Sequence, residues 1–174
     1  ADLLFSSSNG KVEIRNPNPL KGLIENRPWD FQLTASGLSS SVEMAAICPA
    51  QDAAKLKRFL SQFQERSLPA KSERDYLQDF PGFSSAFGLP LTYPIRGENA
   101  WIDLDDVISG DALSSAKELA RRLCKALDAI RSLRPGAIVA IFVPFRWAEY
   151  EKIETPAEHF NLHHFLKAYA ARHG

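Results

Sequence analysis

The stretch Pro135-Gly136-Ala137-Ile138-Val139-Ala140-Ile141-Phe142-Val143-Pro144 decides the fold. Pro-Gly opens it and Pro closes it. Everything between is apolar and rich in β-branched side chains, the composition of a strand buried on both faces. Upstream, Leu113 to Leu133 carries Leu119, Leu123, Leu127 and Ile130 at helical spacing, with Lys117, Arg121, Arg122, Lys125 and Arg131 mostly on the other side. Further back, Val42 to Cys48 is a second apolar run, ended by Pro49. Ala53 to Phe63 follows it with Leu56, Phe59, Leu60 and Phe63 at helical spacing. Strand followed by helix, and helix followed by strand, are pieces of βαβ units. The expected architecture is an α/β domain of three layers, with a mostly parallel central sheet and flanking helices.

The remaining segments are punctuated by turn chemistry. Leu3 to Phe5 and Lys11 to Arg15 read as two short strands of a hairpin turning at Asn9-Gly10. Asn16-Pro17-Asn18-Pro19 is expected to be an extended or turning breaker, and Phe31 to Thr34 an edge strand. Arg66 to Asp79 lacks a clean period and reads as a loop or a short solvated helix. The aromatic, turn-rich run from Phe80 to Leu91 reads as a packed irregular connection. Trp101 to Val107 holds a short strand with Asp103, Asp105 and Asp106 near its end. No Gly and Glu follow at the positions a calcium loop needs, so a solvated turn is the favoured reading of those carboxylates. Residues 1–36 are expected to be lead-in strands packed on a domain formed by residues 37–174.

Composition narrows the function. With 45% hydrophobic and 24% charged residues the chain is an ordinary globular one. Lys plus Arg equals Asp plus Glu, at 21 each, so no overall field attracts polyanions, and nucleic-acid binding would need a local pocket. Cys48 and Cys124 have no CxxC or His-ligand spacing. They read as small buried hydrophobes of a reducing compartment rather than as a disulfide. The longest apolar run is too short to span a bilayer, and the expected location is the cytoplasm. GxGxxG after the first buried strand, GxxxxGK[ST], GxSxG and HExxH are all absent, so the residues point to no enzyme and no metal centre.

One constellation does carry chemistry. Phe160-Asn161-Leu162-His163-His164-Phe165-Leu166-Lys167-Ala168-Tyr169 reads as an amphipathic helix capped by Asn161, with Leu162, Phe165, Leu166 and Tyr169 on one face. His163 and Lys167 stand one turn apart on another. An imidazole and an ammonium near a helix start can hold an anion such as a phosphate. A solvated pair on a surface helix is the competing reading. Parallel sheets bind ligands beyond the carboxyl ends of their strands, and Pro144 to Phe160 leads from that edge into this helix.

The run Ile141-Phe142-Val143-Pro144-Phe145-Arg146-Trp147, a loop, and then Phe160 to Tyr169 resembles the MID domain of prokaryotic Argonautes. That family shows a buried strand ending in Pro, a nearby Trp, then Phe-Asp-Leu-His-Asp and Lys-Ala-Tyr. Asp2-Leu3-Leu4-Phe5, Gly22-Leu23, Arg27-Pro28-Trp29-Asp30 and Phe80-Pro81-Gly82-Phe83 resemble further elements of the region, in order. Asn161 and His164 depart from the family pattern by replacing its two acidic residues.

The resemblance implies a Rossmann-like, non-catalytic domain that anchors the 5′-phosphorylated end of a single-stranded guide RNA or DNA in host defence. His163 and Lys167 would grip the phosphate, while Arg146, Trp147, Tyr150 and His164 would lie near it or the first base. The loop from Phe145 to His159 would sense that base. The implied partners are the guide and a PIWI domain, in the same or an associated chain, with no membrane. No cofactor is certain, and a magnesium ion bridging guide phosphates is the one candidate. Two readings of other classes stay open. One is a small α/β enzyme domain, such as a hydrolase with a nonlocal site; the other is a protein-interaction module using Trp147 and Tyr150.

Overall fold

The computed structural model describes residues 3–6, 13–26, 40–69, 77–106, 110–156 and 158–173. The chain forms two compact units, residues 1–43 with 57–92, and residues 44–56 with 93–174.

In the first unit, β1 (Leu3–Ser6) pairs antiparallel with β2 (Glu13–Asn16), Leu3 opposite Asn16. This is the expected hairpin; its Asn9-Gly10 turn lies outside the described residues. The Asn-Pro breaker then starts a helix instead of merely turning. Helix α1 (Pro19–Asn26) places Pro19 at its first position, where a missing N–H costs nothing. The Asn18 side chain accepts from the Lys21 amide at 3.0 Å and caps it. Gly22 is buried because the Phe5 ring lies against it, in space a Cβ would fill.

Strand β3 (Val42–Pro49) and helix α2 (Ala53–Ser61) carry the chain between the units. The aromatic connection contains a short helix, α3 (Phe83–Phe87), entered through Gly82 at φ +91°. Strand β4 (Leu91–Thr92) pairs in parallel with Val42 and Glu43. The expected strand at Phe31 to Thr34, and the Arg27-Pro28-Trp29-Asp30 element, lie outside the described residues, as do residues 70–76.

The second unit holds the rest of the sheet. Strands β5 (Trp101–Leu104) and β6 (Ile138–Ile141) both run parallel to β3, with Ala46 opposite Trp101 and Ala140. The Ala46 amide donates to Ala100 at 2.8 Å, and the Ile47 carbonyl accepts from Phe142 at 2.9 Å. Successive residues of a strand point their polar groups to opposite edges, so β5 and β6 flank β3. Together with β4 they make a four-stranded parallel sheet.

Helix α4 (Ala112–Leu133) connects β5 to β6. Asp111 caps it, accepting from the Ser114 amide at 3.0 Å and the Ser114 hydroxyl at 2.7 Å. Those two bonds hold the Asp111 carboxyl below its ordinary range. Leu119, Leu123 and Ile130 pack with Ala45, Ile47, Leu104, Trp147 and Leu162 in one core. Burying each of those α4 side chains contributes about 1.5–3 kcal/mol.

Two expectations change. β6 is not covered on both faces: Ile138 is 57% exposed, while Val139 and Ile141, on the opposite face, pack on the core. Among the described residues β6 pairs only with β3, so it is an edge strand. The segment expected to be a loop, Phe145 to His159, is structured. A 3-10 turn (Phe145–Trp147) leads into α5 (Ala148–Glu151), and β7 (Lys152–Glu154) pairs antiparallel with β8 (His159–Asn161). Strands of three residues are too short for a period to show in the sequence. Helix α6 (Leu162–His173) follows, and no described helix is long and apolar enough to cross a membrane.

Candidate functional site

Helix α6 starts as the sequence reading requires. Asn161 Oδ1 accepts from the His164 amide at 2.9 Å, which fixes the first turn. Leu162 is buried in the core, and Leu166 packs against it one turn later. Tyr169 ties α6 to α4 by donating its hydroxyl to Asp128 at 2.7 Å. That bond pushes the phenol above its ordinary range. Arg131 donates to the His173 carbonyl one turn further along both helices.

This anchoring opens a cavity of about 910 Å³ between β6, α4 and α6. Ala137, Val139, Ile141 and Val143, one face of β6 and its flanks, line it together with Leu127, Ile130, Leu162 and Leu166. Its polar lining holds more cations than carboxylates. His163 and Lys167 come from α6, Lys152 from β7, and Arg131 and Arg134 from the end of α4, against the carboxylates of Asp128 and Glu151. Arg131 lies 3.7 Å from Asp128, and Lys152 is held by Glu154 at 2.7 Å. No ion pair or side-chain hydrogen bond joins His163 or Lys167 to another described residue. An apolar floor with an ammonium and an imidazole at its wall suits a ligand that is part anion, part ring or chain.

The structure separates the other expected site residues from this cavity. Arg146 turns to the carboxyl edge of the sheet, where the segments after β3, β5 and β6 meet. Its guanidinium pairs with Asp52, which follows β3, and with Asp106, which follows β5, at 2.8 Å. Trp147 is 2% exposed, and its indole N–H donates to the same Asp106 oxygen at 3.1 Å. Gln51 also donates to Asp106. Asp52 is buried and accepts from Lys55 at 2.8 Å. The Lys55 bond, then Arg146, hold its carboxyl below the usual range. Tyr150 is half-buried against the core, and His164 is exposed with its ring 6.0 Å from that of His163. Neither lines the cavity.

Local sequence does not signal this network: it favours a solvated turn at Asp106, and the resemblance implies a ligand contact for Arg146. Their pairing spans 40 residues, and that of Arg146 with Asp52 spans 94, so no local spacing carries it. Asp103 is likewise engaged, by Arg96 at 2.9 Å and by the Trp101 indole at 2.9 Å. Among the described residues no group of three or more His, Cys, Asp or Glu could hold a metal ion.

No protein-family model matches the chain, and no curated protein matches it. The functional reading therefore rests on this geometry and on the motif resemblance.

Proposed function

We propose that this chain is a Rossmann-like, three-layer domain of the Argonaute MID type, which anchors the 5′-phosphorylated end of a single-stranded guide RNA or DNA. The observation that carries the reading is the placement of His163 and Lys167. They stand one turn apart on a capped helix, and both line one cavity with further cations around an apolar floor. Lys167 would supply the charge, His163 a donor and a ring face, and the apolar floor would accept the edge of a base. A balanced overall charge fits a ligand held at its end by a local pocket rather than along its length.

The role fits a nucleic-acid-guided defence protein of the cytoplasm working with a PIWI domain, and it assigns this chain no catalysis. With no metal-binding group among the described residues, a magnesium ion would take its oxygens from the guide phosphates, and the reading needs no step through it.

The test is binding of short RNA and DNA strands carrying a 5′-phosphate or a 5′-hydroxyl, with and without magnesium. A charge-assisted contact to phosphate is worth about 1.5–3 kcal/mol, so Lys167→Ala should cost the phosphorylated strand roughly 10- to 150-fold. His163→Ala should also narrow the phosphate preference. Binding indifferent to the phosphate and to both substitutions would refute the reading.

A further inference from the structure

The cavity at His163 and Lys167 is an elongated trough. Ala137, Val139, Ile141 and Val143 alternate along β6 and its flanks, so their side chains form one continuous wall. At roughly 3.3 Å per residue that wall is about 20 Å long. Leucine and isoleucine side chains of α4 and α6 face it. Three ring-bearing side chains also line the cavity, His163, Tyr169 and His173. Tyr169 and His173 lie ring to ring with centres 4.4 Å apart, and the Tyr169 hydroxyl is donated to Asp128. The long wall therefore presents methyl and methylene groups, whereas nucleobase stacking draws on ring faces. Such a wall takes the edge of a base, but it matches an alkyl chain along its whole length.

The trough has a direction. Helix α4 follows β5 and returns to the amino end of β6. Helix α6 runs the same way, because Tyr169 bonds Asp128 and, one turn on in both helices, Arg131 bonds the His173 carbonyl. His163 thus stands toward Val143, at the carboxyl end of β6, and His173 toward Ala137. No ion pair or side-chain hydrogen bond to another described residue occupies His163 or Lys167, while Arg131 at the far end lies 3.7 Å from Asp128. One end of an aliphatic trough is open to an anion.

We propose that the trough binds a single-chain alkyl phosphate, with its head at His163 and Lys167 and its tail along β6 toward Ala137, and that this amphiphile and the 5′ end of a strand exclude each other. The head position rests on the anchor reading above; the tail position rests on the trough alone.

The experiment titrates the full chain by calorimetry with butyl, hexyl, octyl and decyl phosphate, each below its aggregation concentration. The series is repeated on Lys167→Ala and Ala137→Phe. Ala137 precedes β6 at the far end of the trough, so a phenyl ring there shortens the trough without reaching the head. Octyl phosphate and inorganic phosphate are then compared as competitors of a 5′-phosphorylated strand.

Binding at one ligand per chain should tighten about 15-fold for each two methylenes until the trough is filled. Lys167→Ala should weaken every member by a similar factor and keep that slope. Ala137→Phe should bind butyl phosphate as the parent does and level off at a shorter chain. Octyl phosphate should displace the strand at lower concentration than inorganic phosphate does. Affinity that ignores chain length, or that levels off at the same chain in Ala137→Phe, overturns the tail assignment; if the strand still requires its 5′-phosphate, the anchor stands. An amphiphile that binds with the expected slope yet leaves a phosphate-dependent strand in place overturns the shared head position. If the alkyl series behaves as expected and the strand ignores its phosphate, the anchor falls and the tail assignment stands.

Discussion

Replacing Arg146 tests the ion-pair network at the sheet edge most directly. Arg146→Met keeps the length of the stem and deletes the charge. It leaves Asp52, 2% exposed, facing an apolar side chain. Removing one partner of a fully buried pair costs about 3–5 kcal/mol. Here the loss is smaller for two reasons. Lys55 still donates to Asp52 at 2.8 Å, and Asp106 keeps the Trp147 indole at 3.1 Å together with Gln51. The Arg146 side chain is also 35% exposed, so water screens part of the interaction.

The expected loss is about 2–3 kcal/mol. With a urea dependence of about 2 kcal/mol per molar, the unfolding midpoint falls by roughly 1–1.5 M. The pH dependence has a definite sign. Asp52 is held below its ordinary range in the folded chain, so its contribution is present above about pH 4 and is lost as pH falls through the folded value. The gap between parent and Arg146→Met should be full at pH 7 and close progressively below about pH 4. A double-mutant cycle with Asp52→Asn should return a coupling of about 1–3 kcal/mol. A midpoint shift under about 0.25 M at pH 7, with no coupling in the cycle, would refute the claim that Arg146 and the buried Asp52 are energetically linked.

Two further outcomes follow from the packing. Gly22→Ala puts a methyl group into the space of the Phe5 ring and should cost about 1–3 kcal/mol by urea unfolding, with part of the loss recovered by adding Phe5→Leu. Cys48 is fully buried, and burial, then the nearby Asp52 carboxylate, push its thiol up to about 11. Burial also raises Cys124. Both should be nearly inert to a thiol reagent at pH 8 in the folded chain and titrate as two thiols in denaturant; a fast native reaction would contradict the burial.

The parts of this fold that were legible in the sequence are the ones whose causes are local. Asn161 caps α6, and Leu119, Leu123 and Ile130 line one stripe of α4, because capping and helical spacing involve residues within a few positions of each other. Helix α1 is not legible in the sequence, for a local reason too. Asn-Pro-Asn-Pro signals a turn as readily as a helix start, and the decision fell to Pro19 at the first helical position and Phe5 lying over Gly22. The β7/β8 hairpin was missed because three-residue strands carry no readable period.

What the sequence by itself determined is the order of the longer elements, β3, α2, α4, β6 and α6, and the two side chains, His163 and Lys167, that share one side of a capped helix. Periodicity and capping act between near neighbours, so the chain states them directly. Only the tertiary structure decided which distant charges meet. The sheet order β5-β3-β6 brings the segments after all three strands to one edge, where Arg146 is taken up by Asp52 and Asp106 and leaves Phe145 exposed. The same order puts β6 at an edge of the sheet and lets one of its faces, with α4 and α6, line the cavity that contains His163 and Lys167. A pairing across 94 residues has no signature in spacing, because the free energy that selects it arises only once the fold buries Asp52 and brings Arg146 to it.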